Sequence, residues 1–194
     1  LMNKLNGEGV YEISDSVKEI MQELFDAEVA VQMNNGKSKE EAEKITATMI
    51  AIPGTSEHHT GLAADIVTPT HQTLDPEFAD TDAGKWLQEN AAEYGFILRY
   101  PEDKQDITEI IYESWHYRYV GIGNALAMKN MGLSLEEYIK FVKDYSYHGT
   151  RYYVTAANKD IYCIYYAASN GEDGQMIPIP KTARSFQISG NNID

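Results

Sequence analysis

Two short stretches, far apart in the chain, carry side chains whose chemistry needs a common point in the fold. Residues 53–67 read PGTSEHHTGLAADIV and set Ser56, His58, His59, Gly61 and Asp65 within ten positions. The second stretch, Glu113-Ser114-Trp115-His116, lies about fifty residues further on. An imidazole, a carboxylate and a second imidazole can hold zinc while leaving a coordination position for water. Glu113, three residues before His116, is then placed to act as the base on that water.

Spacing constrains the local structure. His58 and Asp65 are seven apart, too far for one helical face but suited to a loop running into a strand. Gly61 permits a tight turn between them, and Ala63, on the strand face of Asp65, leaves room for an ion. Periodicity does not choose between His58 and His59 as the ligand. A Glu and a His three apart face the same way on a helical turn or a bulged strand, not on a regular one. Because YESWHYRYV is rich in strand formers, a bend is expected at Ser114-Trp115. The competing arrangement is Glu113 paired with Arg118 at the surface and His116 packed under aromatics.

A formal net charge of -14 argues against nucleic acid and against an anionic membrane surface as partners, since both recruit Lys and Arg. A hydrophobic fraction of 43% with 11% aromatics suits a packed α+β body. The one cysteine, Cys163, allows no intrachain disulfide and reads as a small buried hydrophobe. No apolar run reaches the roughly 18–20 residues of a membrane span. No signal peptide is visible, and the chain opens on Leu1, so a fragment of a longer protein is expected.

Residues 1–15 are polar, with a short apolar piece at Val10-Tyr11. Ser16 with Glu19 forms a capping-box pattern, and Val17, Ile20, Leu24, Ala27 and Val31 follow as a core-facing stripe widened by Met21 and Phe25. Ser38 with Glu41 starts a shorter helix that Pro53-Gly54 ends. A helix from about 82 to 94 carries Trp86, Leu87 and Ala91 inward and closes on Gly95. Strands are expected over 96–100 and 110–120, then helices over about 122–131 and 135–144, the last capped by Ser134 with Glu137. From Thr150 helical signals stop. Strands over 151–155, 161–167 and 185–188 make 150–194 a small β appendage on a body of 1–149.

PGTSEHHTGLAADI and YESWHYRYVG resemble the two signature motifs of the VanY-like D-alanyl-D-alanine carboxypeptidases, zinc metallopeptidases related in fold to lysostaphin-type enzymes and the hedgehog domain. The intervening GKWLQENAAEYGFILRYPEDKQDIT and the following GLSLEEYIKF are similar to the family as well, so the resemblance covers residues 20–142. It implies a small antiparallel sheet with flanking helices around a zinc site. It also implies His58, Asp65 and His116 as zinc ligands and Glu113 as catalytic base. Ser56, Trp115 and His59 are implied to line or position the pocket, His59 standing where many relatives have Gln.

The implied substrate is a peptidoglycan stem peptide ending in D-Ala-D-Ala, losing its terminal D-Ala. An extracytoplasmic protein, exported or membrane-anchored, is the matching expectation. The alternatives are a D,D-dipeptidase, a stem-peptide endopeptidase, or a zinc-bearing domain that binds wall peptides without cutting. One departure stands out. The family carries an Arg about forty residues before the His motif, where this chain has ISDSVK. The expectation is that Lys18 or another cation replaces it, that activity is reduced, or that the chain begins after or diverges across the family's N-terminal segment.

Overall fold

The computed structural model describes residues 14–168 and 176–188. The reading of residues 1–13 lies outside that range. Helices α1 (Asp15–Asn34) and α2 (Lys39–Ala47) pack on each other at the start of the chain. Strand β1 (Ala63–Asp65) follows, then α3 (Asp82–Asn90), β2 (Phe96–Leu98), the single turn α4 (Gln105–Thr108) and β3 (His116–Tyr119). Helices α5 (Ile122–Met131) and α6 (Leu135–Val142) precede a hairpin of β4 (Tyr152–Thr155) and β5 (Ile161–Ile164).

The first three strands form one antiparallel sheet with β3 in the middle, in the order β1-β3-β2. Its register matters more than its size. Asp65 of β1 lies opposite His116 of β3, and Ala63 lies opposite Arg118. Directly opposed residues hold their Cβ atoms about 4.5–5.5 Å apart. Pairing these two strands therefore brings the two motifs together. The ladder runs on past the strands through Tyr119 N–H to the Leu62 carbonyl at 2.8 Å and Val120 N–H to the Gly95 carbonyl at 2.8 Å.

On the side of α5 the sheet is backed by a core of Ala92, Val120, Ala125, Leu126, Ala127, Met128 and Tyr138. Val154, Ala156 and Ile164 of the β4–β5 hairpin belong to the same cluster, so the hairpin shares this core with α5. Its aromatic rings pack edge to face on α6 and on the turn after it: Phe141 meets Tyr152 at 5.4 Å, and Tyr145 meets Tyr152 at 5.6 Å.

Helix α6 begins where Ser134 and Glu137 predict it, with a complete capping box. The Ser134 side chain accepts from Glu137 N–H, and Glu137 accepts from Ser134 N–H at 2.9 Å. Lys104 reaches the same carboxylate at 3.0 Å. Replacing Ser134 with alanine is expected to lower stability by about 1 kcal/mol, read as a fall in the urea midpoint at unchanged slope. An unchanged midpoint counts against the cap.

Several expectations differ from the structure. Helix α1 starts at Asp15 behind Ser14, with no side-chain cap, so Ser16 and Glu19 form no box. Its buried side is Val29 with Met21, Phe25 and Gln32 half-buried, whereas Val17, Ile20, Leu24 and Val31 are exposed. Helix α2 packs against this helix and covers the other stripe. Helix α2 ends at Ala47, well before Pro53. Trp86 is 48% exposed and rests on Tyr94 instead of entering the core. Residues 110–115 form no ladder, because Ile111 N–H bonds to Thr48, Glu113 N–H bonds to Tyr100, and Ser114-Trp115 make a turn. Residues 185–188 pair with no strand.

Candidate metal centre and catalytic site

The first motif folds as a single 3₁₀ turn, Glu57–Thr60. Ser56 caps it, its hydroxyl accepting from His58 N–H at 3.4 Å. Gly61 ends it at φ 67°, a left-handed conformation that a side chain would strain, and the chain passes into β1. The second motif makes the expected bend: Ser114 and Trp115 form a turn closed by His116 N–H on the Glu113 carbonyl at 3.3 Å. That turn lets Glu113 and His116 face the same space.

The side chains converge there. One ligand atom each from His58, Asp65 and His116 lie within 4.8 Å of one another. His58 Nε2 is 3.4 Å from Asp65 Oδ1, and His116 Nδ1 is 3.1 Å from the same oxygen. Glu113 Oε2 stands 3.5 Å from His116 Nδ1. The His58 and His116 rings meet edge to face at 4.9 Å. His116 and Glu113 are buried, while the His58 side chain is 41% exposed, so the cluster opens to solvent on one side.

Electrostatics of the cluster favour positive charge at its centre. Burial alone would lower the His116 pKa, but Asp65, Glu57 and Glu113 outweigh it and raise it to about 9. Burial, with Asp65 and Glu57 adding repulsion against the pull of His116, pushes Glu113 up to about 7. Burial would also raise Asp65, yet His116 and His58 hold it below its usual range. His116 is thus held protonated by the carboxylates that crowd it, and Glu113 is shifted towards its protonated form mainly by burial, with Asp65 and Glu57 adding to it. A divalent cation supplies the same positive charge, and two imidazoles with one carboxylate and an open side are a donor set that zinc accepts. These residues fit a metal.

Glu57, Arg99 and Arg118, none of them among the residues the sequence assigns to the site, lie immediately behind. Arg99 Nε donates to Glu57 Oε1 at 2.6 Å, and Arg99 Nη2 donates to Glu136 Oε1 at 2.5 Å. Arg118 Nη1 is 3.4 Å from Glu57 Oε2, so Arg118 serves Glu57 and not Glu113. Burial opposes ionisation of Glu57, but His116, Arg99 and Arg118 hold its pKa at about 2. The Tyr100 ring lies 4.9 Å from that of His116, with the Arg99 guanidinium 4.8 Å from the Tyr100 ring centre.

Of the remaining sequence candidates, His59 and Trp115 are chain neighbours of His58 and His116. His59 is half-buried on the turn, its Nδ1 enclosed without a hydrogen-bond partner. Trp115 is 8% exposed, and its carbonyl accepts from Ile66 N–H. Lys18 sits on exposed α1 and pairs with Asp15 at 3.7 Å.

The sequence matches the family described as VanY, D-alanyl-D-alanine carboxypeptidase, over residues 17–122. A D-alanyl-D-alanine carboxypeptidase of Enterococcus faecalis is 41% identical over 147 residues, which make up 74% of this chain and 53% of that protein. The chain spans about half the length of the curated relatives it matches. Among solved structures, a vancomycin-resistance D,D-pentapeptidase VanY in complex with Zn(II) is 42% identical at a TM-score of 0.54, over 69% of this chain and 74% of that one. The D,D-dipeptidase VanXYg, in complex with a D-Ala-D-Ala phosphinate analogue, is 34% identical at a TM-score of 0.70, over 91% of this chain and 66% of that one.

Proposed function

The chain belongs to the VanY family of D-alanyl-D-alanine carboxypeptidases, and from that premise we propose that it is a zinc-dependent D,D-carboxypeptidase. Its substrate would be a peptidoglycan stem peptide or precursor ending in D-Ala-D-Ala, and its product the released terminal D-Ala. One observation carries the reading: His58, Asp65 and His116 present ligand atoms to one point, with the Glu113 carboxylate alongside.

In this reading His58, Asp65 and His116 hold the ion. Zinc, when bound, supplies Lewis acidity that activates water and polarises the scissile carbonyl. Glu113 takes a proton from the attacking water and delivers it to the nitrogen of the departing D-Ala as the C–N bond breaks. Its burial keeps bulk water from competing for that proton. Ser56, His59 and Trp115 are assigned to the pocket wall, Ser56 also fixing the turn that carries His58. Substrates of this kind place the protein outside the plasma membrane, at the cell envelope. No helix among the described residues is long and apolar enough to cross a membrane.

A second reading has its own support. The dipeptidase VanXYg aligns over 91% of the chain, against 69% for VanY, and so includes more of the chain than the carboxypeptidase match does. Mass spectrometry after incubation with a stem pentapeptide and, separately, with free D-Ala-D-Ala separates the two. Tetrapeptide plus D-Ala supports the carboxypeptidase. Cleavage of the free dipeptide alone supports the dipeptidase. Neither product from zinc-loaded protein contradicts both.

A further inference from the structure

The two ring nitrogens of His116 face different carboxylates. Nδ1 looks into the cluster, towards Asp65 and Glu113. Nε2 looks away from it and is enclosed with no hydrogen-bond partner. The acidic atom beyond Nε2 is Glu57 Oε2, 3.7 Å away and itself buried without a hydrogen bond. A neutral imidazole carries one proton. If Nδ1 binds a metal, that proton must sit on Nε2, where a buried N–H without an acceptor is costly.

Glu57 is held in place from behind. Its Oε1 takes the 2.6 Å bond from Arg99, whose far end is tied to Glu136 in the first turn of α6. Arg118, on the same strand as His116, approaches Oε2 at 3.4 Å. The side chains of Arg99, Glu57 and Arg118 are only 10%, 16% and 18% exposed, so the network is packed and not a loose surface array. It runs from α6 through the end of β2 and the 3₁₀ turn to the back of His116.

We propose that Glu57 is the positioning residue of the metal centre: it accepts the Nε2 proton of His116, commits Nδ1 to the ion, and is itself fixed by Arg99 and Arg118. This rests on the reading of His116 as a ligand. Glu57 makes no contact with the reacting atoms and acts through His116. A carboxylate behind a ligating histidine fixes its tautomer and ring orientation and strengthens it as a donor. Because Glu57 and His58 are neighbours on one turn, the same residue also ties the turn carrying one imidazole to the ring of the other.

The test uses Glu57→Ala and Glu57→Gln in the full chain, with zinc affinity measured by competition against a chromogenic chelator. Long-range ¹H–¹⁵N correlation spectra of the zinc-loaded protein locate the His116 proton. Glu57→Ala should weaken zinc binding by about 10- to 100-fold and lower kcat by a similar factor, with KM nearly unchanged. Glu57→Gln keeps an acceptor oxygen and should recover most of the affinity. Wild type should show the His116 proton on Nε2. Should the alanine variant fail to fold, the glutamine variant and the wild-type spectrum decide. A proton on Nδ1, or zinc affinity within about threefold of wild type in a folded alanine variant, overturns the proposal, since a ligand's carboxylate partner is worth at least tenfold. His116→Ala serves as reference. If it binds zinc as wild type does, the ligand assignment fails first; if it loses zinc while Glu57 variants do not, only the role of Glu57 fails.

Discussion

Glutamine at position 113 is expected to leave zinc bound and to lower kcat by about 10²–10⁴-fold, the usual contribution of a positioned general acid–base group. The amide matches the carboxylate in shape but cannot accept the proton of the attacking water. Glu113 is not among the three residues that supply ligand atoms to the cluster, so metal content should stay at the wild-type level. The sign of the pH dependence follows. The base works ionised, so activity should fall as pH drops through the Glu113 pKa. The surrounding protein groups set that pKa at about 7, burial being the main cause. A cation nearby favours the carboxylate and moves it downward. Glu113→Gln should lack this acid limb in its residual rate. Wild-type turnover in the variant, with zinc in place, removes Glu113 from the chemistry.

Replacement of Arg99 by methionine should cost about 3–5 kcal/mol of stability, because it strands a buried carboxylate. Glu57 would lose its 2.6 Å partner and keep Arg118 at 3.4 Å and the His116 ring at 3.7 Å. Glu136, 30% exposed, can turn to water, so the loss should centre on Glu57 and sit at the lower end of that range. Lysine at the same position keeps the charge but not the fork that reaches two carboxylates, and should fall between. Glu57 has a folded-state pKa of about 2, below its ordinary 4.5. A depressed carboxylate contributes stability above its unfolded pKa and loses it as pH falls through the folded one. The gap between wild type and Arg99→Met should therefore be full at neutral pH and close between about pH 4.5 and 2, as Glu57 becomes protonated in both. Urea unfolding across that range measures it. A gap under about 1 kcal/mol at neutral pH would class these pairs with ordinary surface bridges.

The chemistry-bearing residues were easier to read than the packing around them. His58, Gly61 and Asp65 lie close in sequence, and the bend at Ser114-Trp115 follows from a Glu and a His that must face one way on otherwise strand-forming sequence. The Ser134 box is local in the same way and forms, its partner being three residues away, whereas the pattern of Ser16 with Glu19 does not because the helix starts two residues earlier. Helix α1 shows the limit. Its sequence carries two overlapping apolar stripes, and periodicity does not tell which one α2 will cover; Met21, Phe25 and Val29 take that side and leave Ile20 and Leu24 exposed. Residues 110–115 look like strand because they are rich in Ile, Tyr and Trp, yet the Ile111 and Glu113 N–H groups bond to Thr48 and Tyr100 in separate loops and Ser114-Trp115 turn. Glu57 sits inside the first motif, yet the sequence carries no mark of its role. Its partners Arg99 and His116 are brought to it by the sheet, and nothing local marks a glutamate as buried.

The most direct test of the central claim is anomalous X-ray scattering at the zinc edge from crystals of the zinc-loaded protein. The predicted result is one strong peak bounded by His58, Asp65 and His116, with Glu113 beside it and unbound. A peak elsewhere, or none at that cluster in zinc-saturated crystals, contradicts the account and leaves the two motifs as neighbours without a shared ion.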